Sequence, residues 1–556
     1  MPSVRRPKPI TRQSRRHFAR VLSGLLLIVL LLASVSARAQ KVEVWLGPVT
    51  PDYYRKVDPS FGSDFARMFE PNAPWQRAAE RTKVMKVSTM FAFRAPDDLL
   101  AHMIADLKRR NIALAIEGLM LTIPRPDSCG RGVEGYTGPV TLLRAAERIR
   151  RLGGELRYIA MDEPLYFGHY FTGPNACRTP IDALARDVAD RIRSLRAVFP
   201  NLQVGDIEPF GGPKFKDWND LLMQWAEAYR RALGEPLPFL HLDVQWRRPY
   251  QKSMQDLAGR LRKAGIRIGI IYNGDVTDTA EQWTARAVDR FVEVEAHAAL
   301  IPDQAIFQIW GNPKPPLNLP ETDPAAFTSL VNRYAAEQTS LTLSRPGGQI
   351  DIRLMASGQP VSGVPVTLYA VDHTANGIVQ SQTLVGRVPT DAVEATIALR
   401  LNAECNCSAP ANIAIGRLRY HDDAGGSEAV RWFRKPMQGD MERFDVPAGQ
   451  RVALNTQRFP VIAGSRFTLE APLAATAQSA EAGYIAVIFL GVDGKEVRRA
   501  RMDLRPGARE IGRVTTAGDG RVSFHPTAAM ANPAAYGVRA RFNGDRRYRP
   551  SWATAP

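Results

Sequence analysis

Residues 239–273 read FLHLDVQWRRPYQKSMQDLAGRLRKAGIRIGIIYN, and this stretch contains one complete unit of the pattern that decides the fold. Two short runs rich in Leu, Ile and Val, residues 239–246 and 266–273, flank a segment whose apolar residues recur at helical spacing. Short apolar runs predict buried strands, and a helical segment of this length can connect two parallel strands. The stretch therefore predicts a strand, a crossover helix and a second, parallel strand.

The same unit recurs from residue 41 onward. We predict eight strands, at residues 41–48, 84–93, 112–121, 156–163, 202–208, 239–246, 266–273 and 304–310. Between them, helices are predicted at 97–110 and at about 140–152. Eight parallel strands with intervening helices close a (β/α)₈ TIM barrel. An open doubly wound sheet is the alternative, but no glycine-rich phosphate loop follows the first strand, so the barrel is favoured.

The composition changes after the barrel. A proline-rich stretch at 312–324 leads to one more helix near 325–337, and alternating strand patterns separated by Gly, Pro, Asp and Asn turns follow. This pattern is typical of antiparallel sandwiches. We predict a barrel over residues 40–338, a β-sandwich over 339–437 and a second sandwich-like domain over 438–556.

The first 39 residues resemble an export signal. Basic residues precede an uncharged apolar run at 21–37, and Ala37-Arg38-Ala39 places small residues where a signal peptidase cuts. We expect cleavage before Gln40 and a periplasmic or secreted protein. An uncleaved membrane anchor is the alternative, and Ser14-Arg15-Arg16-His17-Phe18 also resembles a twin-arginine signal.

The basic charge of the chain does not indicate nucleic-acid binding. The chain carries +17, but residues 1–39 contribute seven Arg and one Lys with no acid, which leaves +9 on the remainder. That remainder is distributed over predicted helix surfaces, and no stripe of basic and aromatic residues is present. We therefore expect no nucleic-acid partner.

Four cysteines in an exported chain favour disulfide formation. Cys129 and Cys177 lie in successive loops, and we predict that they are paired. Cys405 and Cys407 are separated by a single residue, so a bond between them closes a strained ring; they either pair, stay reduced or mark a tight loop.

Acidic residues lie where the predicted strands end. In a TIM barrel, the active site is at the carboxyl ends of the strands. Carboxylates in one mouth repel each other, so some must be protonated, hydrogen-bonded or paired with a cation, as acid and base catalysis requires. The acidic candidates are Glu117, Asp162, Glu163, Asp206, Glu208, Asp243 and Asp275.

Aromatic and amide side chains occupy the same strand ends and the loops after them. Flat rings stack on the apolar faces of sugars, and amides bond to sugar hydroxyls, so we predict a carbohydrate ligand. These candidates are Trp45, Phe93, Tyr166, His169, Trp246, Tyr272, Asn273 and Trp310. Some of them can instead cap the barrel core.

The segment Met161-Asp162-Glu163-Pro164 resembles the end of strand four in many retaining glycoside hydrolases with a (β/α)₈ barrel. In that group an Asn-Glu or Asp-Glu pair, often followed by Pro, supplies the general acid/base. Trp310 at the end of strand eight resembles the sugar platform of the same enzymes. The resemblance implies that Glu163 is the proton donor, and it extends over about 270 residues of barrel pattern.

Strand seven departs from that group, because it has no Glu at the position of the nucleophile. Asp275, Asp243 and Glu208 are the alternatives for the second carboxylate. A further alternative resembles hexosaminidases, in which an adjacent Asp-Glu pair orients and protonates a substrate that uses its own acetamido group as nucleophile. Asp162 and Glu163 can both face the mouth only if the strand turns at this point, since neighbouring strand residues point to opposite sides.

We predict a glycoside hydrolase acting on a poly- or oligosaccharide. The alternative is a polysaccharide-binding protein without catalytic activity, and Glu163→Gln would distinguish the two. The Gly-x-Ser-x-Gly motif of serine hydrolases and the HExxH motif are absent, and the eight histidines are too scattered for a histidine-based metal site. We therefore expect no metal and no other cofactor, although carboxylates and carbonyls can also bind Ca²⁺.

Overall fold

The computed structural model describes residues 42–555 with gaps at 52–60, 124–128, 212–216, 247–249, 276–277, 298–299, 311–314, 373–379, 402–410, 423–428, 432, 434–440, 448–449, 451, 476–482, 505–507 and 527–535. The predicted export signal and the pair Cys405 and Cys407 lie outside the described residues. Among the helices that are described, none combines the length and the hydropathy needed to cross a bilayer.

Eight parallel strands form a closed barrel, which confirms the predicted fold. Each strand pairs with its neighbours in the sequence, and the last strand closes the barrel on the first through the register Glu43↔Gln304 to Gly47↔Gln308. The strands are β1 (Glu43–Gly47), β2 (Thr82–Ser88), β3 (Ala113–Gly118), β4 (Leu156–Asp162), β5 (Gln203–Phe210), β6 (Phe239–Val244), β7 (Arg267–Tyr272) and β8 (Gln304–Gln308).

Helices connect the strands and surround the barrel. They are α1 (Gln76–Arg81), α2 (Thr89–Arg94), α3 (Asp97–Arg110), α4 (Thr141–Arg151), α5 (Ile181–Val198), α6 (Trp218–Leu233), α7 (Gln251–Lys263), α8 (Ala280–Val292) and α9 (Ser329–Ala335). Single turns of 3₁₀- or π-type occur at Ala66–Phe69, Tyr166–Tyr170, Glu293–His297 and Pro346–Gly348, and Leu121–Thr122 pairs with Tyr136–Thr137. The helix predicted at 97–110 has those bounds.

The second strand is shorter than predicted because a helix begins inside its apolar run. The side chain of Ser88 accepts a hydrogen bond from the amide of Phe91 at 3.1 Å and caps α2. Capping of this kind satisfies an amide that a helix start leaves without a partner. The apolar residues after Ser88 therefore belong to α2 and not to β2.

The barrel interior is a packed core. Inward-facing side chains from all eight strands contact each other in one cluster, which includes Trp45, Val84, Ala115, Ala160, Ile207, Phe239, Ile271 and Ile306. The rings of Trp45 and Phe239 meet edge to face with their centroids 5.4 Å apart. These packed side chains fill the barrel interior below the carboxyl ends of the strands.

The sheets that the described residues form after α9 are antiparallel, as predicted. Its strands are β9 (Thr339–Ser344), β10 (Ile350–Ala356), β11 (Gln359–Pro360), β12 (Pro365–Asp372), β13 (Gln380–Arg387), β14 (Glu394–Leu401), β15 (Ala411–Gly416), β16 (Leu418–Asp422), β17 (Ala429–Arg431), β18 (Met441–Val446), β19 (Val452–Asn455), β20 (Phe459–Pro460), β21 (Arg466–Ala475), β22 (Gly483–Leu490), β23 (Glu496–Asp503), β24 (Ala508–Thr515), β25 (Arg521–Phe524), β26 (Tyr536–Phe542) and β27 (Ser551–Ala555).

These strands make two sandwiches, and one is inserted into the other. The proximal sandwich consists of β9–β12 and β24–β27, with one core that joins residues 341–368 to residues 538–542. The inserted sandwich consists of β13–β23 and has its own core, from Leu384 to Leu504. The boundary predicted between residues 437 and 438 lies inside the inserted sandwich and is corrected by this strand order.

The proximal sandwich is joined to the barrel through a buried carboxylate. Glu295 accepts hydrogen bonds from the hydroxyls of Tyr272 at 3.0 Å and Tyr334 at 2.8 Å, and from Arg549 at 2.7 Å. Arg549 belongs to the sandwich, and it also donates to the carbonyl of Tyr334. The charge of Glu295 is therefore satisfied only when barrel and sandwich are both folded.

Candidate active site at the carboxyl ends of the barrel strands

The alternation of side chains along the strands decides which acidic residues face the mouth of the barrel. Ala115, Ala160 and Ile271 belong to the interior cluster, so the residues two positions further on, Glu117, Asp162 and Asn273, also face inward. Phe239 belongs to the same cluster, and four positions further on the same face of β6 carries Asp243. These strand ends bring several polar side chains together above the core.

Glu117 lies at the centre of a hydrogen-bonded group. Its Oε2 accepts bonds from Lys86 Nζ at 2.8 Å and Gln308 Nε2 at 2.5 Å, and its Oε1 accepts from the Trp310 indole at 3.2 Å. Burial alone would raise the pKa of Glu117, but the Lys86 ammonium and these hydrogen bonds hold it below its usual range. Glu117 is therefore a carboxylate with a fixed position and a fixed charge.

Glu163 reaches the mouth because the chain turns at the end of β4. Its backbone has φ +48°, in the left-handed region, and its amide donates to the carbonyl of Ile207 at 3.1 Å. A left-handed conformation is unfavourable for a residue with a side chain and occurs where the surroundings enforce it, often at functional sites. The turn that would let Asp162 and Glu163 both face the mouth is thus present.

The carboxyl groups of Asp162 and Glu163 have no hydrogen-bond partner among the described residues. Burial, followed by the negative charges of Asp243 and Asp162, raises the pKa of Glu163 well above its usual range. The pKa of Asp162 is also raised, first by burial and then by Glu117 and Glu134. In both groups the raised pKa favours the protonated form, which a general acid needs.

Asp243 is the third carboxyl group of this kind. No hydrogen bond or ion pair to another described residue engages it. Burial and the charge of Glu117 raise its pKa from 3.8 to about 6, although Lys86 opposes the shift. Asp243 is therefore mostly ionised at neutral pH, whereas the raised pKa of Glu163 favours its protonated form, and such a pair suits acid and base roles.

The other two candidates for the second carboxylate have different positions. Glu208 points outward from β5, is fully buried, and accepts the amides of Leu165 at 2.6 Å and Tyr166 at 3.1 Å. Both of its oxygens therefore hold the loop that follows Glu163. Asp275 is bound by Arg290 at 2.5 Å and lies 3.3 Å from Arg286.

Asp206 also points away from the mouth. It is fully buried on the outer side of β5, and its Oδ2 accepts the indole of Trp225, on α6, at 2.6 Å. Asp206 directly precedes Ile207, whose side chain faces inward. Because neighbouring strand residues point to opposite sides, Asp206 faces outward.

The predicted sugar-contacting residues divide into three groups, of which the first lies at the mouth. Trp310 touches Glu117, and Trp246 donates to Asn273 Oδ1 at 2.8 Å, so these three residues form one side of the mouth. Asn273 Oδ1 also accepts from Arg290 at 2.9 Å. Trp310, Trp246 and Asn273 are half-buried and thus keep surface available to a ligand.

Trp45 and Tyr272 lie away from the mouth, contrary to the prediction. Trp45 is fully buried in the barrel core, and its indole donates at 2.7 Å to Glu43, at the amino end of β1. Gly47, two residues later, is the residue of β1 that aligns with Gln308 at the mouth. Tyr272 faces outward and donates to Glu295.

The remaining predicted contacts lie on short helices near the mouth. Tyr166 and His169 are in the π-turn after β4, where the ring of Tyr166 packs on Phe167 with centroids 4.9 Å apart. His169 Nδ1 lies 2.8 Å from the carbonyl oxygen of Thr179. Phe93 lies on α2 and is half-buried.

Residues at the mouth that were not predicted from the sequence include Gln308, which donates to Glu117, and also Lys86 and Glu134. Lys86 is 2% exposed and inward-facing; its signal is a charged residue within an otherwise apolar strand. Glu134 is an exposed residue of the loop between β3 and α4, and its charge raises the pKa of Asp162, Glu163 and Asp243, in each case after burial and other carboxylates. Glu134 has no comparable signal in the sequence, because it lies in a loop and not within an apolar strand.

The disulfide between Cys129 and Cys177 is present, as predicted, and it holds this loop. Gly130 donates to the carbonyl of Asn175 at 2.7 Å beside it. Gly135, next to Glu134, has φ +77°, and a Cβ there would lie 2.7 Å from the carbonyl oxygen of Asp162. The loop therefore packs directly on the end of β4, which brings Glu134 close to the carboxyl cluster.

Within the described ranges, no three side chains of His, Cys, Asp or Glu are arranged to hold a metal ion. The cluster consists of carboxyl groups with raised pKa values beside one fixed ion pair. Such a set can donate a proton from one group and accept a proton, or attack a substrate, with another.

No family model matches the chain, and no curated protein matches it significantly. Solved structures to which it is similar include xylanase 10B from Thermotoga maritima, at 9% identity and a TM-score of 0.30 over 48% of this chain and 82% of that one. BuGH86 in complex with neoagarooctaose is similar at 10% identity and a TM-score of 0.32, over 78% and 95%. An N-acetylneuraminate lyase from Aliivibrio salmonicida is similar at 9% and 0.27, over 48% and 69%. The fold of this chain is defined by its own strand order, and its site by its own side chains.

Proposed function

We propose that this chain is an exported glycoside hydrolase in which Glu163 is the general acid and Asp243 is the second catalytic carboxylate. One observation carries the proposal: two carboxyl groups with no hydrogen-bond or ion-pair partner among the described residues share the barrel mouth, and the pKa of each is raised by burial and by neighbouring carboxylates. Separate environments that leave one carboxyl protonated and another ionised define an acid and a base or nucleophile.

In this mechanism Glu163 donates its proton to the glycosidic oxygen as the bond to the anomeric carbon breaks. Asp243 either attacks that carbon or removes a proton from the attacking water. A carboxyl separation of about 5–5.5 Å leads to retention of configuration, and one of about 6.5–9.5 Å leads to inversion. Asp162, beside Glu163, would orient an acetamido group if the substrate itself supplies the nucleophile.

Other residues of the mouth would hold the sugar. The indoles of Trp310 and Trp246 offer flat apolar faces, and Asn273 offers an amide. Glu117 would accept sugar hydroxyls while Lys86 keeps it ionised, because its pKa stays below its usual range despite burial. Glu208 is a positioning residue here, since it binds the loop that carries Glu163.

Export is supported by the disulfide between Cys129 and Cys177, because such bonds persist in oxidising compartments. A periplasmic or secreted location and removal of residues 1–39 therefore form part of the proposal. N-terminal sequencing of the protein recovered outside the cytoplasm should start at Gln40.

The test uses a panel of poly- and oligosaccharides and the variants Glu163→Gln and Asp243→Asn. Each variant should lose at least about a thousandfold in release of reducing ends while binding the cleaved glycan nearly as well as wild type, because proton transfer and nucleophilic participation supply a large part of the rate. Glu147→Gln, on the exposed face of α4, is the matched control and should retain full activity.

The anomer of the first product, followed by NMR, distinguishes retention from inversion. With Asp243→Ala, recovery of activity by azide with formation of a glycosyl azide would identify Asp243 as the nucleophile. If wild type cleaves no glycan of the panel but binds one of them, the enzyme hypothesis fails and a polysaccharide-binding protein takes its place.

A further inference from the structure

A second cavity lies between the barrel and the proximal sandwich, away from the carboxyl cluster. Its volume is about 500 Å³, and it is lined on one side by α1 and α9 of the barrel and on the other by the sandwich loop at residues 543–550. Arg81, which lines it, directly precedes the first residue of β2 and thus lies at the amino end of the barrel. The mouth lies at the opposite end of that strand, about 20 Å away at the usual rise per residue.

Four arginines line this cavity: Arg77, Arg81, Arg333 and Arg546. Arg81 donates one bond, to Asn332 Oδ1 at 2.8 Å. Among the described residues, the guanidinium groups of Arg77, Arg333 and Arg546 form no hydrogen bond and no ion pair within 4 Å. Arg333 is half-buried, and burial lowers its pKa although the charge of Asp289 opposes the shift.

The two acidic residues of the cavity are already occupied by backbone amides. Glu321 accepts the amides of Arg77 at 3.2 Å and Ala78 at 2.7 Å, and also the side chain of Asn332 at 2.8 Å. Asp545 accepts the amides of Arg547 at 2.7 Å and Tyr548 at 2.8 Å. Among the described residues, neither carboxylate forms an ion pair with an arginine of the cavity, and four arginines outnumber two carboxylates, so the lining has a net positive charge.

The walls of the cavity are held in place. Residues of the sandwich loop pair with the end of α9 through Glu337, which donates to the carbonyl of Arg547 and accepts the amide of Arg549, both at 2.7 Å. Gly544 closes the loop with φ +77°, where a Cβ would lie 2.8 Å from Pro550. A fixed backbone around the cavity limits the conformational entropy that the protein loses when a ligand binds.

We propose that this cavity is a binding site for an acidic oligosaccharide, separate from the carboxyl cluster in the mouth. Its arginines would bind carboxylate groups of the ligand, for which the guanidinium geometry is well suited. The half-buried side chain of Tyr548 also lines the cavity, beside these arginines. A volume of 500 Å³ lies within the range of organic ligand sites, and a single inorganic anion would fill only a small part of it.

The test measures binding to the full chain by isothermal titration calorimetry with three probes: tetragalacturonate, neutral maltotetraose and inorganic phosphate. Tetragalacturonate should bind, and its affinity should fall with added salt because the contacts are ionic. Arg333→Gln and Arg546→Gln should each weaken it by about tenfold or more, as expected for loss of a charge-assisted hydrogen bond. Arg498→Gln, exposed on β23 of the inserted sandwich, makes the same charge change and should leave the affinity within about twofold of wild type.

Arg546 is exposed, so its variant keeps the test informative if Arg333→Gln unfolds. The proposal is overturned if tetragalacturonate does not bind, if maltotetraose or phosphate binds as tightly, or if Arg498→Gln weakens binding as much as the cavity variants. It is also overturned if the cavity variants bind like wild type. These outcomes do not depend on whether the mouth cleaves glycans.

Discussion

Asp243 combines a proposed catalytic role with a cost to stability. Its pKa is 3.8 in an unfolded chain and about 6 in the fold, where burial and Glu117 disfavour its charge. Between these values the folded protein binds a proton that the unfolded chain releases, so stability falls as pH rises through this window. The cost is absent below 3.8 and fully present above about 6.

We predict that Asp243→Asn stabilises the protein at pH 8 by up to about 3 kcal/mol and has almost no effect at pH 3.5, because the amide carries no charge to bury. Urea denaturation at the two pH values measures the difference. Asp190→Asn, at a position on α5 whose side chain is 76% exposed, is the matched control and should change little at either pH. An Asp243→Asn variant that is less stable than wild type at pH 8 would contradict this account.

At the residue scale, the sequence predicts at which end of a strand a residue lies. It predicts only in part whether the side chain faces into the barrel or outward. Glu117, Asp162 and Asp243 follow from apolar runs that end in acidic residues. Trp45 and Tyr272 were wrongly predicted to lie at the mouth. The register of β1 against β8 and the side of β7 that faces inward are set by the closed barrel and not by either strand alone. Alternation along each strand becomes informative only once one inward-facing residue is known.

At the element scale, the loop between β3 and α4 shapes the mouth. The disulfide ties it to the loop after β4 across a sequence separation of 48 residues. Closing a loop of this length removes conformational entropy from the unfolded chain. Because Glu134 lies on the same loop, the cross-link also keeps its charge near the carboxyl cluster.

We expect the double variant Cys129→Ser/Cys177→Ser to lose roughly 2–4 kcal/mol of unfolding free energy. Thermal denaturation with and without dithiothreitol measures it. The reducing agent should lower the melting temperature of wild type toward that of the variant and leave the variant unchanged. Equal melting temperatures for oxidised wild type and variant would show that the disulfide adds no stability.

Elements with local signals were predicted best. The helix at residues 97–110 contains its own apolar periodicity, acidic first turn and basic last turn, and its bounds are as predicted. The end of β2 was missed because the run continues to be apolar after Ser88, and only the cap shows where the helix starts. Glu134 could not be found in this way, since contacts distant in sequence bring its loop to the mouth.

At the scale of the whole molecule, the nesting of the two sandwiches was not predictable from local patterns. Strand alternation identifies strands, but it does not identify their partners when those are distant in the sequence. The partners of β12 are β24 and β26, and the pair Val371↔Ala508 in the first of these ladders spans the entire inserted sandwich. A boundary drawn in sequence order therefore divided the inserted sandwich in the middle.

The chain leaves the proximal sandwich and returns to it at adjacent positions. We therefore predict that the inserted sandwich can be removed without unfolding the barrel and the proximal sandwich. Val371 and Ala508 are paired neighbours, and replacing residues 373–507 by a single Gly would join them through Asp372-Gly, a favoured two-residue hairpin turn. The insertion has its own core, and within the described residues no hydrogen bond links residues 380–504 to the barrel. Domains with separate cores and adjacent ends tolerate such changes.

The shortened chain should remain monodisperse, melt cooperatively and retain the glycan cleavage of the full chain, since the mouth and the Glu295–Arg549 contact are untouched. Calorimetry and product assays on the two chains provide the comparison. A variant with the same deletion but Arg549→Met is the informative control: it should melt at a lower temperature, because Glu295 is then buried without its cationic partner. Aggregation of the shortened chain under conditions where the full chain is soluble would mean that the inserted sandwich is required for folding of its host, despite its separate core.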